Sequence, residues 1–109
     1  METKEAKAPS LKIVDQIRTR NAREYDLAFA DARLTVNVQA VDAEPSAWRV
    51  EVRGHRQGGE TITACESGAS RVEALRAVGA EWRVLASPHG LDMFDWADVE
   101  RLLDGVRAL

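Results

Sequence analysis

From Trp48 to Arg53 the chain alternates strictly, with Trp48, Val50 and Val52 on one side and Arg49, Glu51 and Arg53 on the other. Successive side chains of a β-strand point to opposite faces, so a period of two predicts a strand with one buried face. Such a strand is stable only when other strands pair with it and apolar side chains cover it. The same alternation recurs on both sides. Upstream, Leu34, Val36, Val38 and Ala40 alternate with Thr35, Asn37 and Gln39. Downstream, Ile62 and Ala64 oppose Thr61, Thr63 and Cys65 within the Glu60–Glu66 stretch. Turn-forming residues link these runs, over 42–46 and from Gly54 to Gly59. Three short sequential strands predict an antiparallel meander.

Helical spacing flanks the meander. Val14, Ile17, Asn21, Tyr25, Ala28 and Ala32 recur every three or four residues, with Leu11, Ile13 and Phe29 beside them and Ser10 as a cap. That spacing predicts an amphipathic helix of roughly 22 residues, about 33 Å long. After the strands, Ser70-Arg-Val-Glu73 matches the capping box, and Val72, Leu75, Val78, Trp82 and Leu85 continue as a stripe. Ser87-Pro-His-Gly90 breaks it, and Asp95 starts a last helix carrying Trp96, Val99, Leu102, Leu103 and Val106. The expected fold is α+β: a single domain over 10–109 in the order α-β-β-β-α-α, with a long N-terminal helix, behind a flexible tail at 1–9. A chain of 109 residues suits one domain.

Over roughly residues 10–86 this order resembles the topology of double-stranded-RNA-binding domains, and also that of small antitoxin-like and secretion-chaperone-like adaptors. In the RNA-binding family the last helix opens on a lysine-rich cluster that grips phosphates. The matching start here, Ser70-Arg71-Val72-Glu73, carries one cation and one acid.

Charge bounds the partners. Fifteen Lys+Arg against eighteen Asp+Glu give a net charge of −3, whereas a nucleic-acid binder usually carries a basic footprint. The most basic local surface expected is Arg49 and Arg53 on one strand face, with His55 and Arg56 in the loop beyond. No apolar run is long enough for a bilayer, and the N-terminus lacks the apolar stretch of a secretory signal. A single cysteine, Cys65, forms no internal disulfide, which suits a reducing compartment. A cytoplasmic location is therefore expected. Seventeen alanines and a strong preference for arginine over lysine fit bacterial, GC-rich coding.

Catalytic signatures are lacking. His55 and His89 belong to no metal-ligand spacing, and neither Gly-x-Ser-x-Gly nor a phosphate-binding P-loop occurs. Asp92, Asp95, Asp98, Glu100 and Asp104 fit helix capping and a solvated helix face better than paired carboxylates for hydrolysis. All three tryptophans fall on apolar stripes and predict core packing. Neither a metal nor a cofactor is expected, and no enzymatic activity. The three helical stripes exceed what a three-stranded face needs, which points to a protein-interaction or adaptor module that docks a partner or forms a homodimer. The alternative is a weak nucleic-acid-binding module using Arg49, Arg53, His55 and Arg56.

Overall fold

The computed structural model describes residues 11–41, 47–91 and 96–107, with side chains described as far as Leu103 in the last segment. The expected tail at 1–9, the 42–46 turn, Asp92, Asp95 and the side chain of Asp104 lie outside the described residues. Five strands are followed by two helices: β1 (Lys12–Arg18), β2 (Ala22–Phe29), β3 (Ala32–Val41), β4 (Ala47–Arg56), β5 (Ile62–Gly68), α1 (Arg71–Ala86) and α2 (Trp96–Arg107). A short 3-10 turn, Ser87–His89, follows α1. The strands pair in sequence order as one antiparallel sheet.

The α+β class stands, but the α-β-β-β-α-α order does not. The segment read as a long N-terminal helix is the β1–β2 hairpin, and the meander has five strands rather than three. Two features disguised the period of two. A bulge between Ile13 and Asp15 shifts the register of β1 by one residue, so its apolar side chains fall out of step with those of β2. The turn that follows contains neither glycine nor proline. It closes when the Thr19 N–H donates to the Ala22 carbonyl (2.8 Å) and the Ala22 N–H donates back to Thr19 Oγ1 (3.1 Å). Within β2 Tyr25 and Leu27 are buried on the core face, with Ala28 buried beside them, whereas Val14 and Ile17, the first members of the expected helical stripe, are each 51% exposed. The next turn is also short of signals. Ala30 and Asp31 alone separate the paired Phe29 and Ala32, and Ala30 takes a left-handed φ of 54°, usually glycine's role. With the N-terminal helix gone, the likeness to double-stranded-RNA-binding topology goes too.

The later elements follow their patterns closely. Glu73 N–H donates to Ser70 Oγ (3.1 Å), while Glu73 Oε1 accepts from the Ala69 N–H (3.1 Å), so the capping side chains do start α1. Leu75, Val78 and Trp82 are buried as expected, but Ala74, Gly79 and Ala86 join them, and Val72 and Leu85 turn outward. Gly54 is not part of a loop. It lies inside β4, where a Cβ would come within 2.7 Å of Trp82 Cη2, so its bare backbone makes room for the indole.

One face of the sheet holds the core. Tyr25, Leu27, Leu34, Val36, Val50 and Val52 pack in a single cluster with Leu75, Val78 and Trp82 of α1 and with Trp96, Val99 and Leu103 of α2. The α1 helix lies along β5 and β4. The α2 helix is tied to α1 at two points: Trp96 Nε1–H donates to the Leu75 carbonyl (3.0 Å), and Arg71 donates to the Leu103 carbonyl (3.3 Å). The helical layer stops short of β1, whose inward-facing Gln16 and Arg18 remain exposed. Among the described residues, no helix is long and apolar enough to cross a membrane.

Candidate ligand cleft

The overhang of the sheet beyond its helices creates a cleft of about 610 Å³. Its floor and rim come from the β1–β2 hairpin, residues 18–23, which supply Arg18, Arg20, Arg23, Thr19 and Asn21. Its apolar wall is Val38 and Ala40 of β3 with Trp48 of β4, and Arg71 closes it from the first turn of α1. Register explains why these side chains meet. Arg18 pairs with Arg23, Arg23 with Val38, and Ala40 with Trp48, all in rows on the helix-bearing face. The small side chain of Ala40 leaves space that a larger residue would fill.

Among the described residues four arginines and no carboxylate line this cleft, in a chain whose net charge is −3. Guanidinium groups stay charged at any physiological pH, so the cations cannot escape mutual repulsion by losing protons. Among the described residues no carboxylate comes within ion-pairing distance of Arg18, Arg20 or Arg23. The nearest acid along that row of the sheet is Glu66, three strands and roughly 14 Å from Arg23. Glu66 is engaged elsewhere. Its hydrogen bond with Glu81, helped by the negative charge there, holds its carboxyl above the ordinary glutamate range. Glu81 Oε1 also accepts from the Cys65 N–H (3.2 Å), so α1 caps a donor on the outer edge of β5.

The surface expected from sequence is arranged differently. Arg49, Arg53 and His55 share the outward face of β4, whereas Arg56 sits on the opposite parity at the strand's end. Arg49 and His55 are six residues apart, about 20 Å along the strand. Three of the four are already engaged. Arg53 lies 3.9 Å from Glu24, Arg56 lies 3.3 Å from Asp31, and Arg49 Nε–H donates to Cys65 Sγ at 3.0 Å. The last contact pushes the Arg49 pKa further up. Glu24, Asp26 and Glu51 interleave with these cations across the outward face. Thr35 and Asn37 donate to Asp26 and Glu24 in turn, at 3.1 and 3.2 Å. The result is a balanced polar face rather than a basic one.

The two members of the C-terminal acidic run whose side chains are described, Asp98 and Glu100, both pair. Asp98 bonds Arg101 within α2, and Glu100 lies 4.0 Å from Arg76 of α1. Among the described residues no group of three or more His, Cys, Asp or Glu side chains is placed to hold a metal ion. Trp82 and Trp96 are core residues, while Trp48 is half-buried and serves as both core edge and cleft wall.

The cleft's signal was present in the sequence as Arg18-Thr-Arg20-Asn-Ala-Arg23, three arginines in six residues. A helix, at about 100° per residue, scatters them by turning Arg18 some 140–160° away from the other two. A hairpin brings them together. Comparison with protein-family models, with curated proteins and with solved structures finds no match.

Proposed function

We propose that the protein is a non-enzymatic binding module that takes an anionic ligand into the cleft between the β1–β2 hairpin and the start of α1. The observation that carries this reading is the convergence of Arg18, Arg20 and Arg23 on one concave surface with no acidic partner among the described residues. Uncompensated like charges cost stability, and a bound anion offsets that cost with charge-assisted, often bidentate, hydrogen bonds.

Pyrophosphate is a suitable probe, followed by calorimetry at low ionic strength. Its affinity is expected to fall steeply as salt is added. The double variant Arg18→Gln with Arg23→Gln is expected to weaken binding at least tenfold, since a hydrogen bond to a charged group contributes roughly 1.5–3 kcal/mol. The matching outer-face pair, Arg49→Gln with Arg53→Gln, leaves it unchanged. No binding, or equal losses in both double variants, would remove the cleft as the site.

Docking of a second copy is a separate reading, and its support has moved. Leu75, Val78 and Trp82 of α1 and Trp96, Val99 and Leu103 of α2 are spent in the core, whereas among the described residues no strand pairs with the outer edge of β1, where Val14 and Ile17 are each 51% exposed. Edge pairing between two copies would extend the sheet. Light scattering across a tenfold concentration range is expected to show twice the mass of 12.0 kDa, and Val14→Lys to restore the single-chain mass. A constant single-chain mass ends that reading.

A further inference from the structure

We infer that the ligand of the arginine cleft is a nucleotide, its phosphates on Arg18, Arg20 and Arg23 and its base stacked against Trp48. The inference rests on the anion-binding reading above and adds the ligand's class.

Three observations carry it. The first is size. A cleft of about 610 Å³ lies within the range of pockets that enclose whole organic ligands, far beyond what one phosphate group fills. The second is its division into two chemistries. Arginines crowd the hairpin side, while Val38, Ala40 and Trp48 form an apolar wall opposite. A purely ionic ligand leaves that wall uncovered, and a purely apolar one leaves the cations uncompensated. A ligand with an anionic end and a flat aromatic end satisfies both. Trp48 suits the aromatic end because it is anchored against the core yet only half-buried, so a base can stack on it without a large loss of side-chain freedom. The third is Asn21, on the rim between Arg20 and Arg23. Its backbone carbonyl accepts from the Ala40 N–H (2.9 Å), but its side-chain amide has no hydrogen-bond partner among the described residues. An amide offers both donors and an acceptor, the pair of functions a base edge presents.

The surroundings limit the ligand's length. A long strand needs a basic track that continues beyond the cleft, and the other face of the sheet interleaves its arginines with Glu24, Asp26 and Glu51. A free nucleotide or the phosphorylated end of a strand remains as the source.

The test compares pyrophosphate, ADP, adenosine and a 5′-phosphorylated tetranucleotide on the full chain, by calorimetry and by tryptophan fluorescence. ADP is expected to bind about tenfold more tightly than pyrophosphate, the lower part of the range for stacking one base on an aromatic side chain. Trp82 and Trp96 are buried, so ADP should quench the emission of Trp48 alone, and Trp48→Phe should abolish the quenching while keeping most of the affinity. Trp48→Leu should bring ADP down to the affinity of pyrophosphate without changing pyrophosphate itself. ADP and pyrophosphate binding equally to the unaltered chain would overturn the nucleotide assignment and leave the anion cleft standing. Adenosine matching ADP would overturn both, as would no binding by any probe. A tetranucleotide equal to ADP assigns the end of a strand, and a much weaker one assigns the free nucleotide; either supports the proposal.

Discussion

Trp82→Ala is expected to cost about 3–5 kcal/mol, the usual range for deleting a buried tryptophan. That is a large part of the roughly 5–15 kcal/mol that holds a domain of this size together. Urea denaturation should show the midpoint falling with little change in slope, and the melting temperature dropping by more than about 10 °C. The size of the loss follows from what the indole covers. Trp82 is 2% exposed and spans from α1 to β4, where it lies directly over Gly54. With no side chain at Gly54, nothing beneath can relax into the space, so the cavity stays open and its lining loses contacts outright. The ring nitrogen of Trp82 has no hydrogen-bond partner among the described residues, so Trp82→Phe forfeits little beyond area and should cost much less. Trp96→Phe, by contrast, also loses the bond to the Leu75 carbonyl.

The same contact predicts a coupling. Gly54→Ala by itself places a methyl group 2.7 Å from Trp82 Cη2 and 3.1 Å from Cζ2, and overpacking of this kind costs about 1–3 kcal/mol. In the Trp82→Ala background both opposing atoms are gone, and the nearest remaining contact is the Arg33 carbonyl at 3.3 Å. There Gly54→Ala should be neutral or stabilising, because alanine loses less backbone freedom than glycine in a strand. Simple addition of the two single effects would show that α1 does not seat on β4 through this pair.

How much of this was legible depended on where the period was clean. β4 and β5 could be read because Trp48, Val50, Val52, Ile62 and Ala64 alternate without interruption, and α1 because Ser70 and Glu73 sit at fixed capping offsets. The β1–β2 hairpin could not. Its bulge offsets one strand from the other, its turn at Thr19 uses a hydroxyl instead of glycine, and its polar edge strand buries too little to impose a pattern. Alanine, arginine and glutamate over 22–24 suit a helix locally, and only pairing with β3, and of the last two with β1, makes them a strand. The error then spread to the site. A cleft assembled from Arg18, Arg20, Arg23 and Trp48 exists only once the hairpin exists, whereas the clean period of β4 puts Arg49 and Arg53 on one face from sequence alone, with His55 and Arg56 just beyond. Trp48 was correctly placed on the face opposite Arg49 and Arg53. What could not be seen was that a neighbouring strand brings other arginines to its own side.

Gly79→Ala provides a contest between local propensity and packing. Glycine inside α1 should be a weakness, and alanine there should gain about 1 kcal/mol in helix propensity. Packing opposes this. A Cβ at Gly79 would overlap Cδ1 and Nε1 of Trp96 and lie 2.7 Å from Cγ. The indole has little freedom to retreat, being only 8% exposed and fixed by its bond to the Leu75 carbonyl. Moving it breaks that bond, which contributes roughly 0.5–1.5 kcal/mol, and overpacks α2 against α1 at about 1–3 kcal/mol more. The steric side wins, and Gly79→Ala should be less stable by about 2 kcal/mol, with Trp96 emission shifted to the red as the ring is pushed toward water. Combined with Trp96→Ala, which removes the obstructing ring, the same substitution should recover the stabilisation that propensity alone assigns it. A Gly79→Ala protein more stable than the parent would mean that α2 does not dock on α1 through this contact.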